Sequence, residues 1–125
     1  MSSSQPSDES EAFQIRRVGD IGIVTPLGDF EEIPPNLLEP ATAMIMGSLT
    51  DVTHVIFNVG QMRYLPSDFL ALMIKCQKRI RMRGGELALC HVSPGHREVL
   101  RLTNLDTLWA LYDTQEEALS ALDTD

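Results

Sequence analysis

The strongest constraint on this chain is an alternation along it. Short β-rich runs, "IGIVTPL", "VTHVIFNV", "ELALCHV" and "LWALYD", are separated by longer stretches in which apolar residues return every three or four positions. Strands joined through helices cannot pair as hairpins. Each connection has to cross over, and right-handed crossovers build a mainly parallel sheet. Ahead of the first of these runs stands "FQIRRV", joined to it by the turn pair Gly19-Asp20, the signature of a hairpin. The expected order is therefore β-β-α-β-α-β-α-β-α, an α/β domain over residues 13–125 with about four helices and an antiparallel edge strand.

The local signals set the boundaries. In "EEIPPNLLEPATAMIMGSL" the apolar residues Leu37, Leu38, Ala41, Met44, Ile45 and Leu49 have helical spacing, and Pro40 puts the expected start near itself. After "YLPSDF", Phe69, Met73, Cys76 and Ile80 recur at steps of four, three and four, the stripe of a helix over 67–83 that packs on a sheet, with Ser67 as its expected cap. The other face of this helix carries Lys75, Lys78, Arg79, Arg81 and Arg83 against Asp68, a net of +4. Lys75, Arg79 and Arg83 stand four apart and share a face. We read them as a solvated surface with cations near the negative end of the dipole, in preference to a docking patch. Gly84-Gly85 stops the helix. "SPGHREVLRLTNL" opens with a Ser cap and Pro at the first helical position, and "TQEEALSAL" pairs Thr114 with Glu117 as a capping box.

Residues 1–12 are Ser-rich and acidic with little apolar content, which predicts a disordered tail. The formal charge of -8 and pI of about 4.7 argue against nucleic acid and anionic membranes as partners. The apolar runs fall well short of the roughly 20 residues of a membrane span, and the first residues lack the basic start and apolar core of a signal peptide, so a cytoplasmic location is expected. Cys76 and Cys90 lie inside expected regular elements and outside any CxxC spacing, which predicts buried thiols without a disulfide. His54, His91 and His96 have no HExxH or i, i+4 relation, so no metal is expected and structural histidines are the preferred reading. There is no GxGxxG, no P-loop and no GxSxG around Ser67, which leaves no cofactor and no enzyme indicated.

The segments "VIFNVGQMRYLPSDFLALM" and "GGELALCHVSPGHREVLRLTNLDTLWALYDTQEEALSAL" resemble the STAS family, the domain of bacterial anti-sigma factor antagonists, in a match covering about residues 13 to 122. In that family the switch is a serine at the N-terminus of the helix after the central strand, within Asp-Ser-Ser or Asp-Ser-Thr followed by Gly-Leu-Gly. Ser67 falls on the phosphorylated serine, Pro66 on the aspartate before it, Asp68 on the second hydroxyl residue and Phe69 on the glycine; only the serine is retained. The resemblance implies a protein partner, an anti-sigma factor that is a serine kinase, captured by the unphosphorylated domain and released on phosphorylation of Ser67. It places Asn58 near the acceptor and makes Tyr64, Leu65, Pro66, Asp68, Phe69 and Leu70 candidate partner contacts, with the ring of Phe69 on the surface a kinase loop would approach. The alternative it leaves is a STAS scaffold module of a signalling or transport complex that is not phosphorylated. In either case a monomer or weak dimer is expected.

Overall fold

Phe13–Val18 (β1) and Ile21–Pro26 (β2) pair antiparallel in the register Phe13 to Pro26 through Val18 to Ile21, the hairpin expected around Gly19-Asp20. The computed structural model of the chain describes residues 13–27 and 35–123. The Ser-rich segment 1–12, expected to be a tail, lies outside them. His54–Asn58 (β3), Leu87–Cys90 (β4) and Ala110–Tyr112 (β5) add in parallel, so the five strands run β1-β2-β3-β4-β5 across a mixed sheet. Helices Leu38–Gly47 (α1), Ser67–Met82 (α2) and Pro94–Leu102 (α3) make the crossovers, and Gln115–Leu122 (α4) follows the last strand.

All three crossovers step in the same direction along the sheet, so right-handedness stacks α1, α2 and α3 on one face. The strand sequences divide accordingly. Val55, Phe57, Leu87 and Leu89 join Ile45, Leu49, Phe69, Met73, Ile80 and Leu100 in the large core, while the alternate residues Ile56, Ala88 and Cys90 face the other way and meet Ala118 and Leu122 of α4. The sheet is thus apolar on both faces, which is why "VTHVIFNV" reads as a continuous run rather than an alternating one.

The stripe of α2 is fully spent in this core: Phe69, Met73, Cys76 and Ile80 are each 0% exposed. Its basic face is the solvated surface expected, with the side chains of Lys75 and Arg79 37 and 42% exposed, and it also carries ion pairs to the neighbouring helix. Lys75 Nζ lies 2.6 Å and Arg79 Nη2 3.0 Å from the two carboxylate oxygens of Glu39 on α1, and Arg83 Nη1 donates to the carbonyls of Leu49 and Val52 at 2.6 and 3.0 Å. The four-residue spacing that put these three cations on one face aims that face at α1. With side chains 37 to 60% exposed, the two Glu39 contacts are surface ion pairs at the edge of the α1–α2 contact, each worth little.

Two boundaries differ from expectation, and the glycine stop of α2 stands where it was expected. The first helix starts at Leu38, after a 3-10 turn over Pro35–Leu37, and Pro40 sits inside its first turn, where its missing N–H would have had no intrahelical partner. In "LWALYD" the strand begins only at Ala110, since Trp109 turns into the core at 3% exposure. At the end of α2, Gly84 takes φ +81, and Gly85 has room only for hydrogen: a Cβ there would stand 1.7 Å from the carbonyl oxygen of Thr53. The two adjacent glycines are needed for different reasons, one for conformation and one for close approach.

Candidate functional site

Parallel strands bring their C-terminal ends to one rim of the sheet, and from the end of β3 the chain turns through residues 59–66 into α2. Asn58, at that turn, is half-buried. Its Nδ2 donates to Gln115 Oε1 at 3.0 Å and its Oδ1 accepts from the Gly60 N–H at 3.0 Å. One side chain therefore joins the central strand, the first residue of α4 and the start of the loop, and Asn58 shapes the rim from beneath.

Loop residues Val59, Met62 and Leu65 are 0, 3 and 4% exposed and anchor the segment in the core. Between these anchors Arg63 and Tyr64 point outward, the guanidinium stacked over the phenol ring at 5.5 Å from its centroid, with Tyr64 60% exposed. Pro66 follows, half-buried and extended at φ −63, ψ 154.

Pro66 is the residue at the helix cap, where Ser67 was expected. A cap needs an extended backbone and a carbonyl that opens the helix, and proline supplies both: its fixed φ suits the position, and its oxygen accepts from the N–H groups of Phe69 and Leu70, each at 3.0 Å. Ser67 becomes the first helical residue. Its side chain is exposed, and among the described residues its hydroxyl makes no hydrogen bond, so it is not occupied by capping. Asp68 is next, half-buried in the first turn, where a carboxylate complements the positive end of the dipole.

Three of the expected contact residues face inward. Leu65 and Leu70 are 4 and 6% exposed, and Phe69 is wholly buried, its ring edge-on to Phe57 with centroids 5.9 Å apart and planes at 75°. The large ring at residue 69 is therefore not on the approach surface. It pins the first turn of α2 to the central strand from below. The surface next to Ser67 is made by Tyr64, Pro66 and Asp68.

A histidine that the sequence offered only as a structural one holds this rim from the far side. His96, 3% exposed, lies in the first turn of α3, where its N–H donates to Ser93 Oγ at 3.0 Å and its Nδ1 accepts from the Ser93 N–H at 3.2 Å. This is a capping box in which imidazole stands in the usual Glu or Gln position. Because Nδ1 accepts, the proton is on Nε2, which lies 2.8 Å from the carbonyl oxygen of Met62 and donates to it. The signal was a Ser-Pro-x-His spacing, hidden because a carboxylate or amide is the partner usually sought. The expected box at Thr114 is half present: Thr114 Oγ1 accepts from the Glu117 N–H, while Glu117 accepts from the N–H of Asp113, one residue before the cap.

His54 has a fold role as well, its Nδ1 accepting from the Glu86 N–H at 3.1 Å. His91, exposed after β4, adopts the left-handed φ of 57 beside Gly60. No group of three or more His, Cys, Asp or Glu residues among those described could hold a metal. Burial pushes the thiols of Cys76 and Cys90 up to about 12, which keeps them protonated and poorly nucleophilic near neutrality. No described helix is long and apolar enough to cross a membrane.

The model of the STAS domain matches residues 10–118. An anti-sigma F factor antagonist of Paenibacillus polymyxa is 27% identical over 70 residues, 56% of this chain and 60% of the relative, so the chain spans less than two thirds of that protein. Among solved structures, an anti-sigma factor antagonist from Mycobacterium paratuberculosis superposes with a TM-score of 0.73 at 20% identity, over 95% of this chain and 97% of the other. The antagonist SpoIIAA in its unphosphorylated form gives 0.72 at 23% identity over 88 and 95% of the two chains. The Bacillus protein in its phosphorylated form gives 0.66 at 23% over 88 and 98%. These superpositions show a shared fold, and the match of the domain model to residues 10–118 shows that this chain belongs to the STAS domain family.

Proposed function

We propose that this domain acts as an anti-sigma factor antagonist: it binds an anti-sigma factor that is also a serine kinase, and phosphorylation of Ser67 by that kinase releases it. The observation that carries the proposal is the Ser67 hydroxyl, exposed and, among the described residues, without a hydrogen bond at the first position of a 16-residue helix. In the reaction Ser67 Oγ attacks the γ-phosphorus of ATP held by the partner, its proton passes to a base on the partner, and ADP leaves. The chain works in the cytoplasm as a binding protein, and the catalysis belongs to the kinase.

The charge change explains the release. A phosphate at this place adds about −1.5 to −2 charges but meets the positive end of the α2 dipole, so the free domain tolerates it. An interface that excludes water over Tyr64, Pro66, Ser67 and Asp68 has no such compensation. Burying the unpaired charge there costs several kcal/mol, and each 1.4 kcal/mol lowers affinity tenfold. Leu65, Phe69 and Leu70 contribute by fixing the shape of that surface from the core side, and Asn58 by tying the rim to α4.

A second reading, an unphosphorylated STAS scaffold, is favoured by Asp68, which already places a carboxylate in the first turn beside Ser67. Incubation with ATP and candidate anti-sigma factor kinases separates the two. On the first reading one phosphate is added, Ser67→Ala abolishes it and retains binding, and Ser67→Glu weakens binding only in part because it carries one charge. A kinase that binds the chain stably and leaves Ser67 unmodified would replace the first reading by the second.

A further inference from the structure

The loop between β3 and α2 is fastened to α3 by one buried side chain, that of His96. Met62, whose carbonyl the imidazole holds, is the middle anchor of residues 59–66, four residues before the cap of α2. The imidazole is itself oriented by the paired bonds to Ser93, which fix both the ring plane and the tautomer. A line of defined hydrogen bonds thus runs from the N-terminus of α3 through His96 to the backbone that presents Tyr64, Pro66 and Ser67.

We propose that His96 is a positioning residue for the Ser67 site: by donating from Nε2 to the Met62 carbonyl it holds loop 59–66 in the conformation that presents Ser67 to the partner. This rests on the reading of Ser67 as acceptor, but the loop clamp can be tested without any partner. The two ring nitrogens do separate jobs, and two substitutions separate them. The oxygen of an asparagine side chain reaches the position of Nδ1 and can accept from Ser93, yet its amide stops short of Met62. The amide nitrogen of glutamine reaches the position of Nε2 and can still donate to Met62.

Amide hydrogen exchange on the isolated chain reads the clamp directly, because the N–H groups of Val59, Gly60 and Met62 have native partners in Cys90 O, Asn58 Oδ1 and Val59 O. His96→Asn is expected to speed their exchange roughly five- to tenfold, the loss of one neutral buried bond, with the amides of α3 after residue 96 still protected. His96→Gln is expected to restore most of the protection, and the NMR shifts of Ser67 are expected to move in the first variant and return in the second. If His96→Asn leaves the three loop amides at wild-type rates, or if His96→Gln opens them as far as His96→Asn does, the clamp is wrong. Absence of phosphate on Ser67 would leave this exchange pattern intact, so a failure of the proposed function is distinguishable from a failure of the clamp.

Discussion

Phe69→Gly installs the glycine that the resemblance leads one to expect at this place, and the structure says it should be costly. Phe69 is wholly buried, edge-on to Phe57, in the first turn of α2. Removing a buried phenylalanine down to Cβ costs about 3–5 kcal/mol, and glycine in place of alanine within a helix adds about 1 kcal/mol. A loss of about 4–6 kcal/mol is a large share of the roughly 5–15 kcal/mol that holds a domain of this size. At about 3–5 °C per kcal/mol the melting temperature should fall by about 12–30 °C. Phe69→Leu, which keeps most of the volume, should cost less than about 2 kcal/mol and leave partner affinity unchanged. Denaturant unfolding of the three proteins, followed by circular dichroism, gives both differences. A loss below about 1 kcal/mol for the glycine variant would refute the placement of Phe69 as the pin between α2 and β3. Reduced partner binding by a well-folded Phe69→Leu variant would return this residue to the contact surface.

Other expectations follow from single contacts. Gly85→Ala would drive a methyl group into the Thr53 carbonyl, 1.7 Å away, so it should destabilise by several kcal/mol, whereas Gly85→Ser should be no milder; equal stability of wild type and Gly85→Ala in urea would show that the β3–β4 approach is looser. Hydrogen bonding and then the charge of Lys75, with Arg79 after it, hold the Glu39 carboxyl below its ordinary range. A depressed carboxylate contributes stability above its unfolded value and loses it as pH falls through the folded one, so the small deficit of Glu39→Gln in neutral buffer should vanish in acid; a deficit that persists in acid would mean the ion pairs to α2 are not its cause.

The fold was legible because the chain states it twice, once in its alternation of runs and stripes and once in its turn residues. The stripe of α2 could be read residue by residue, since Phe69, Met73, Cys76 and Ile80 all face the core. The partners of Lys75, Arg79 and Arg83 could not, because which groups a solvated cation meets depends on where α1 lies, which spacing does not encode. The site was legible in its position but not in its surface. Ser67 stands at the start of α2 as expected, while the capping role passed to Pro66 by backbone geometry, and Leu65, Phe69 and Leu70 turned inward because an apolar residue near a helix start packs on whatever core is below it. His96 was legible only as a structural histidine, because its second bond, to Met62, joins residues 34 positions apart.

The central claim is that Ser67 carries the switch, and the most direct measurement is phosphopeptide mass spectrometry on the chain isolated from its native cells, comparing the free pool with the pool bound to its kinase partner. Phosphate is expected on Ser67 in part of the free pool and absent from the bound one. Phosphate on Ser67 in the bound pool, or a partner-bound chain whose free pool is never modified at Ser67, would contradict it.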